Sequence, residues 1–234
     1  MKPERDIAAA LVDASQEVLG RLRAAGTGSP LLDADQFPFA RAFEQRSSLI
    51  CREAIDLLDG LGGARNSSDL SEVSVGVAGA WRVVPLVDRR GEFPYLSMMP
   101  TTRRLLASVP GLRAADLAQL DAGSAIDVHR GHNIGVVRAH LTLVEPFGRE
   151  PCQLEFPDCG IVQPWRLNEM FVFDDLEYHR AINGRGGDRL ILHLELDRPG
   201  GIFFRSANQV AQILYRFHPV QRGVRARSED AYSL

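Results

Sequence analysis

The sequence predicts a mainly β core flanked by helices, with a barrel-like interior that holds a polar site. Three observations carry this. Val137 to Leu143 alternates with a period of two: Arg138, His140 and Thr142 share one face, and Val137, Ala139, Leu141 and Leu143 share the other. The run from Arg189 repeats the pattern, with Leu190, Leu192, Leu194 and Leu196 opposite Arg189, His193, Glu195 and Asp197. Strands that are apolar outside and basic inside fit a barrel around a polar site. The chain on either side of this β region follows helical periodicity instead.

The elements follow in order. Ile7, Ala10, Leu11, Ala14, Val18 and Leu22 form an i, i+3, i+4, i+7 stripe, broken by Gly26 to Pro30. A second helical stripe runs through Phe43, Ile50, Ala54, Leu57, Leu58 and Leu61, and Gly60, Gly62 and Gly63 end it. From Val73 the character changes to short strands and turns. Trp81 to Val87 is strand-like, and Pro100 to Val109 reads as a short helix. Leu117 to Leu120 and Ala125 to His129 are strands on either side of the turn Asp121-Ala122-Gly123-Ser124. Met170 to Phe173 and Tyr178 to Ile182 lie between the two alternating runs, and Pro199-Gly200-Gly201 closes the β region. Ser206 is the expected cap of a final helix with a Val210, Ile213, Leu214, Phe217 stripe, stopped by Pro219. The polar remainder from Gly223 reads as a mobile tail. The expected organisation is a helical region at 1–72 packing on a β core at 73–200, then a C-terminal helix and tail at 201–234, all in one fold.

Composition bounds the function. At 234 residues the chain suits one large domain, and 45% hydrophobic with 24% charged residues is ordinary for a globular protein. A net charge of −3 gives no basic field for nucleic acid. Arg103-Arg104 and the arginines from 222 to 227 read as solvated faces. Three cysteines, an odd and low count, with no signal peptide, predict a reducing, cytoplasmic setting. Cys152 and Cys159 flank the turn at Phe156-Pro157-Asp158 and read as ordinary thiols rather than a disulfide or zinc pair. The longest apolar run falls well short of the roughly 20 residues of a membrane helix.

The chemistry centres on His129-Arg130-Gly131-His132-Asn133 and on the later His179, each beside a β-rich run. Two neutral imidazoles on a β scaffold suit a mononuclear iron(II) site, which usually adds a carboxylate two residues after the first His. Here that position is Gly131, so water or an anion must complete the sphere, leaving room for a bidentate keto acid and dioxygen. Asp127 is an alternative third ligand, but it lies about 7 Å along the strand from His129 at roughly 3.3 Å per residue. A keto acid's distal carboxylate needs a cation, and Arg189 fits because guanidinium forms a bidentate fork and stays charged. Arg138 and His140 offer further donors, and Thr142 or Asn183 a neutral hydrogen bond. The structural readings stand beside these: satisfied core histidines, arginines paired with Glu195 and Asp197, an Asp174-Asp175 turn, and Trp81 and Trp165 as core or lid aromatics. His132 and His193 read as structural or substrate-facing.

The ordered set His129-x-Gly131, Arg138-x-His140, Phe173-Asp174-Asp175, His179 and Arg189 resembles the aspartyl/asparaginyl β-hydroxylase family. So do Trp165 to Val172, Asp197-Arg198-Pro199 and the lead-in at Trp81 to Leu86 and Phe93 to Leu106. The resemblance spans roughly residues 75 to 200. It implies a double-stranded β-helix (jelly roll, cupin-like) using Fe(II), 2-oxoglutarate and O₂. By this likeness His129 and His179 are the iron ligands, and the animal enzymes of the family also lack a carboxylate at the Gly131 position. Arg189 would bind the distal carboxylate of 2-oxoglutarate. Arg138 and His140 would contact the cosubstrate or the substrate's acidic group. Apart from the likeness, Arg138, Arg130 and His132 are the candidates for meeting the substrate's carboxylate.

Two departures matter. The family's serine on the strand before the first His is replaced near Ala118, and Asn168 stands where a turn glycine is usual, a residue that tolerates a left-handed turn. The reading expects no counterpart of the animal members' helical repeats and membrane anchor, so their epidermal-growth-factor-like protein substrates are not carried over. The expected activity is hydroxylation of a free, derivatised, peptidyl or carrier-bound amino acid. Two rivals remain: halogenation at the same iron, admitted by Gly131, and a metal-free jelly-roll module that binds an anion through Arg138 and Arg189.

Overall fold

The computed structural model describes residues 3–23, 29–70 and 75–232. The chain opens with α1 (Pro3–Leu22), β1 (Leu31–Leu32), α2 (Ala40–Glu44), α3 (Ser47–Gly60), β2 (Arg65–Asn66) and α4 (Ser67–Leu70). Next come β3 (Val77–Ala78), β4 (Trp81–Asp88), β5 (Gly91–Glu92) and α5 (Pro100–Ala107). Eight strands then follow: β6 (Leu112–Leu120), β7 (Ala125–His129), β8 (Val136–Val144), β9 (Gln153–Phe156), β10 (Ile161–Pro164), β11 (Met170–Phe173), β12 (His179–Ile182) and β13 (Arg189–Asp197). Helices α6 (Ile202–Tyr215) and α7 (Pro219–Ala231) end it.

The strands form two antiparallel sheets. The larger runs β1-β11-β8-β13-β6-β4-β2 with β5 on β4, and the smaller runs β10-β9-β12-β7-β3. From β6 onward the chain switches between the sheets, so that β11-β8-β13-β6 faces β10-β9-β12-β7. This is the double-stranded β-helix, with helices on its flanks.

The period of two explains the layering. The apolar faces of β8 and β13 (Val137, Ala139, Leu141, Leu192 and Leu194) are sealed by Phe43, Ile50, Ala54 and Leu57 of α2 and α3. Each fully buried Leu or Ile contributes roughly 1.5–3 kcal/mol. The opposite face of the large sheet meets the small one across Phe156, Trp165, Phe173 and Ile191. Asn168 has φ 66°, the left-handed conformation expected of it, and its N–H donates to the Thr142 carbonyl.

Four features add to or depart from the sequence reading. The α1 stripe faces outward: Ile7 is 61% and Leu11 49% exposed, while Val12 and Leu19 are buried. The C-terminal stripe is likewise outward, with Val210, Ile213 and Phe217 exposed. That helix begins at Ile202 after Gly201 rather than at Ser206. The segment from Gly223 is not a mobile tail but part of α7, which Pro219 opens. Arg225 there bonds Asp88 at 2.7 Å, and Tyr232 packs edge-on to Tyr95 and donates to the Val83 carbonyl. Polar composition hid these long-range anchors. The predicted Gly26 to Pro30 break falls mostly outside the described residues.

Candidate active site

β7 and β12 are neighbours in the small sheet, and their register sets His129 opposite His179. The ring centroids are 4.3 Å apart. Each ring is anchored alike: Nδ1 lies 2.8 Å from the carbonyl two residues earlier, Asp127 for His129 and Glu177 for His179. A carbonyl only accepts, so Nδ1 carries the proton and Nε2 keeps its lone pair. Burial lowers the pKa of both, that of His179 to about 4. Both imidazoles are therefore neutral at pH 7, the form that ligates a metal.

Gly131 takes part in this geometry. Its N–H donates to the Asp175 carbonyl at 2.6 Å. A Cβ built there would lie 1.6 Å from Asp175 Oδ2. The Asp175 carboxylate thus occupies the space a side chain at 131 would need. It is 3% exposed, with Oδ1 3.5 Å from His179 Nε2 and 3.1 Å from Arg138 Nε. Among the described residues no three His, Cys, Asp or Glu side chains converge as a metal cluster. The donor set is two imidazoles with a carboxylate beside them. Asp127 is exposed, and its carboxylate packs over Gly76.

The large sheet supplies the opposite wall. On β8, Arg138 sits between Asp175 and Glu195, with Nη2 3.6 Å from Glu195 Oε1. Burial opposes its charge, but these carboxylates outweigh it and raise its pKa. Two residues on, His140 Nδ1 accepts a 3.2 Å hydrogen bond from Trp165 Nε1. His140 therefore carries its proton on Nε2. Burial, with His193 and Arg189 nearby, holds its pKa well below the usual range. His193 pairs with Asp116 at 2.7 Å.

Arg189, at the start of β13, is 2% exposed and stacks its guanidinium 3.8 Å from the Trp165 ring centre. Its Nε and Nη1 are buried without a hydrogen-bond partner. Burial lowers its pKa to about 10. Ala118 lies on the same cavity wall, and an alanine has no hydroxyl to meet the guanidinium.

One cavity is therefore lined by His129, His179, Arg138, His140 and Arg189, with Trp81, Trp165, Asp116 and His193. Arg130 and His132 lie exposed, off this lining, with the Arg130 guanidinium 5.0 Å over the Tyr178 ring. Asn183 spends its amide on the carbonyls of Leu120, Asp121 and Gly187, and buried Thr142 lies off the lining. Cys51, Cys152 and Cys159 are all free thiols. Sequence reasoning read Asp174-Asp175 as a turn. Asp174 does accept the Leu176 N–H at 3.0 Å, but it also forms a bidentate pair with Arg198 at 2.6 and 2.7 Å. Asp175, beside the imidazole pair, and Asp116, on the cavity wall, were missed as site residues. The Asp doublet four residues before His179 was the available signal for the first; nothing marked the second.

The chain is similar in part to several known proteins. A curated relative, an ornithine lipid ester-linked acyl 2-hydroxylase of Rhizobium tropici, is 28% identical over 100 residues, 43% of this chain and 35% of its own length. The chain thus spans about a third of that relative. Among solved structures, a Pseudomonas putida prolyl-4-hydroxylase aligns with TM-score 0.42 and 20% identity, covering 80% of this chain and 100% of that one. A 2OG-Fe(II) oxygenase family oxidoreductase from Burkholderia pseudomallei aligns with TM-score 0.44 and 15% identity, covering 55% and 74%. The family model for aspartyl/asparaginyl β-hydroxylase matches residues 44–199, which hold every cavity residue described above, and the chain belongs to that hydroxylase family.

Proposed function

We propose that this hydroxylase depends on Fe(II) and 2-oxoglutarate and acts on an amino acid, an amino-acid derivative or a peptidyl residue. One observation carries the reading: Arg189 is a buried guanidinium with two unpartnered nitrogens and no carboxylate, in the cavity that holds the paired imidazoles. A buried charge without a partner costs several kcal/mol, which an anionic ligand offsets. A dicarboxylate with one end at a metal and the other at Arg189 matches this need. It also distinguishes the reading from a module that binds a lone anion, for which the imidazole pair has no use.

The donor set fits iron. His129 and His179 would hold it through Nε2, and the Asp175 carboxylate adds negative charge that favours a cation and an acceptor for water. When bound, iron, 2-oxoglutarate and O₂ together supply the oxidising power to place one oxygen atom in a C–H bond, with succinate and CO₂ as coproducts. The protein's own part is positioning and exclusion of water. Trp165 holds the Arg189 plane on one side and fixes the His140 tautomer on the other, so that Nε2–H is offered as a donor. Arg138, held by Asp175 and Glu195, presents its cation to a substrate or cosubstrate carboxylate.

Asp175 also bears on the choice of reaction. A halide at the iron would meet this carboxylate, which favours hydroxylation over halogenation. The polar wall of Arg138, Asp116 and His193 favours an amino-acid substrate over the lipid acyl chain in the name of the Rhizobium relative. The test is His179→Ala, assayed by Fe(II)-dependent succinate formation with free and peptidyl amino acids. Turnover is expected to fall to background with an unchanged circular dichroism spectrum. Full turnover in that variant removes His179 from the metal site.

A further inference from the structure

Helix α6 is built inside out. Its inward residues include Asn208 and Gln212, 2% and 1% exposed, which bond Gly135, Asp197 and Asn133. Its large apolar residues face the other way: Ile202, Phe203, Val210 and Ile213 are 55–79% exposed, and Phe217 just past its end is 50% exposed. At about 3.6 residues per turn the four helical ones fall in one stripe opposite Asn208. Helix α1 repeats the inversion. Gln16 faces in, bonding Asn133 and the Ile134 N–H, while Ile7, Leu11, Val18 and Leu22 are 42–61% exposed.

The two helices pack antiparallel. Leu19 meets Phe204 and Ala211, Leu22 lies by Gly200 and Gly201, and Asp13 lies toward Tyr215. With their contact on one flank and their polar residues underneath, both stripes face away from the sheets, side by side. The exposed apolar area is on the order of 1,000 Å². A typical monomer's largest patch is roughly 300–600 Å², and each partner in a standard interface contributes ~800 Å².

The edges of this surface differ in charge. The edge of α1 remote from α6 carries exposed Glu17, paired with Arg21 at 2.5 Å. The edge of α6 remote from α1 carries exposed Arg205 and Arg216, and α6 has no acidic residue. A twofold axis along the helix direction sets α1 of one copy over α6 of another. It places Glu17 on the edge that carries Arg205 and Arg216 of the other copy, at both edges. We infer that the α1/α6 face binds a second copy of this chain, forming a four-helix layer between two β cores. This is independent of the chemistry proposed above.

The test is the mass of the full chain in solution by light scattering and sedimentation. A dimer is expected, and the Phe203→Glu/Ile213→Glu variant is expected to have half that mass with an unchanged circular dichroism spectrum. Glu17→Arg is expected to weaken the dimer at least ~tenfold, and adding Arg205→Glu to restore it to within about threefold. Three results overturn the proposal: a monomer at every concentration up to the solubility limit, a dimer unaffected by the Phe203/Ile213 substitutions, or a monomer that floats with phosphatidylglycerol vesicles.

Discussion

Arg138 and Arg189 face one cavity from adjacent strands of the same sheet, yet their surroundings are opposite. Arg138 lies between two carboxylates, which hold its charge firmly. Arg189 has an indole face and no acid, and burial makes its charge easier to lose. Both are largely removed from water, so the difference is one of compensation. A buried guanidinium with its carboxylates present belongs to the fold. One without them is a receptor for an anion, because several kcal/mol of desolvation stay uncompensated until a ligand arrives. The two arginines therefore predict different phenotypes for the same substitution.

The largest effect on stability is expected at Arg138. Arg138→Met leaves Asp175, which is 3% exposed, without its guanidinium. Breaking a buried pair from one side costs roughly 3–5 kcal/mol. Urea unfolding reads this directly, and a loss under about 1 kcal/mol would mean that Arg138 is not part of the fold in this sense. Arg189→Met inverts the pattern. Removing an uncompensated charge is expected to leave the unfolding midpoint unchanged or higher, while apparent 2-oxoglutarate affinity falls by about 2–5 kcal/mol, roughly 30- to several-thousandfold. Equal destabilisation by the two substitutions would erase the comparison. An unchanged 2-oxoglutarate affinity would instead remove Arg189 from the pocket.

The legibility of these features in sequence follows from how each is encoded. The strands of the core were readable because alternation and burial coincide: Leu141, Leu192 and Leu194 are apolar and face helices, while Arg138, His140 and Arg189 face inward. Asn168 was readable because few residues tolerate its backbone. Asp175 was not, since its importance lies in filling the space above Gly131, a contact made across the fold. The stripes of α1 and α6 were visible, but a period of 3.6 says only that a face is apolar. It does not say what covers that face, and here Gln16, Asn208 and Gln212 take the inner positions instead.

The pH dependence of stability sharpens the contrast further. Burial would raise the pKa of Glu195, but Arg89 and Arg138 outweigh it and bring it to about 2 from an ordinary 4.5. A depressed carboxylate stabilises the fold fully above its unfolded pKa and loses that contribution as pH falls through the folded value. The window is therefore pH 4.5 down to 2. At 1.36 kcal/mol per pH unit the contribution is on the order of 3 kcal/mol. Asp174, held by Arg198 against the effect of burial, bends the curve in the same sense. Unfolding of the wild type alone would mix the two. Subtracting the curve of Glu195→Gln isolates the first: the two proteins are expected to converge as pH drops from 5 toward 2. Arg189→Met is expected to track the wild type across the same range, because no carboxylate depends on that guanidinium. Parallel curves for wild type and Glu195→Gln would mean that Arg89 and Arg138 do not stabilise the Glu195 charge, and Arg138 would then rest on Asp175 alone.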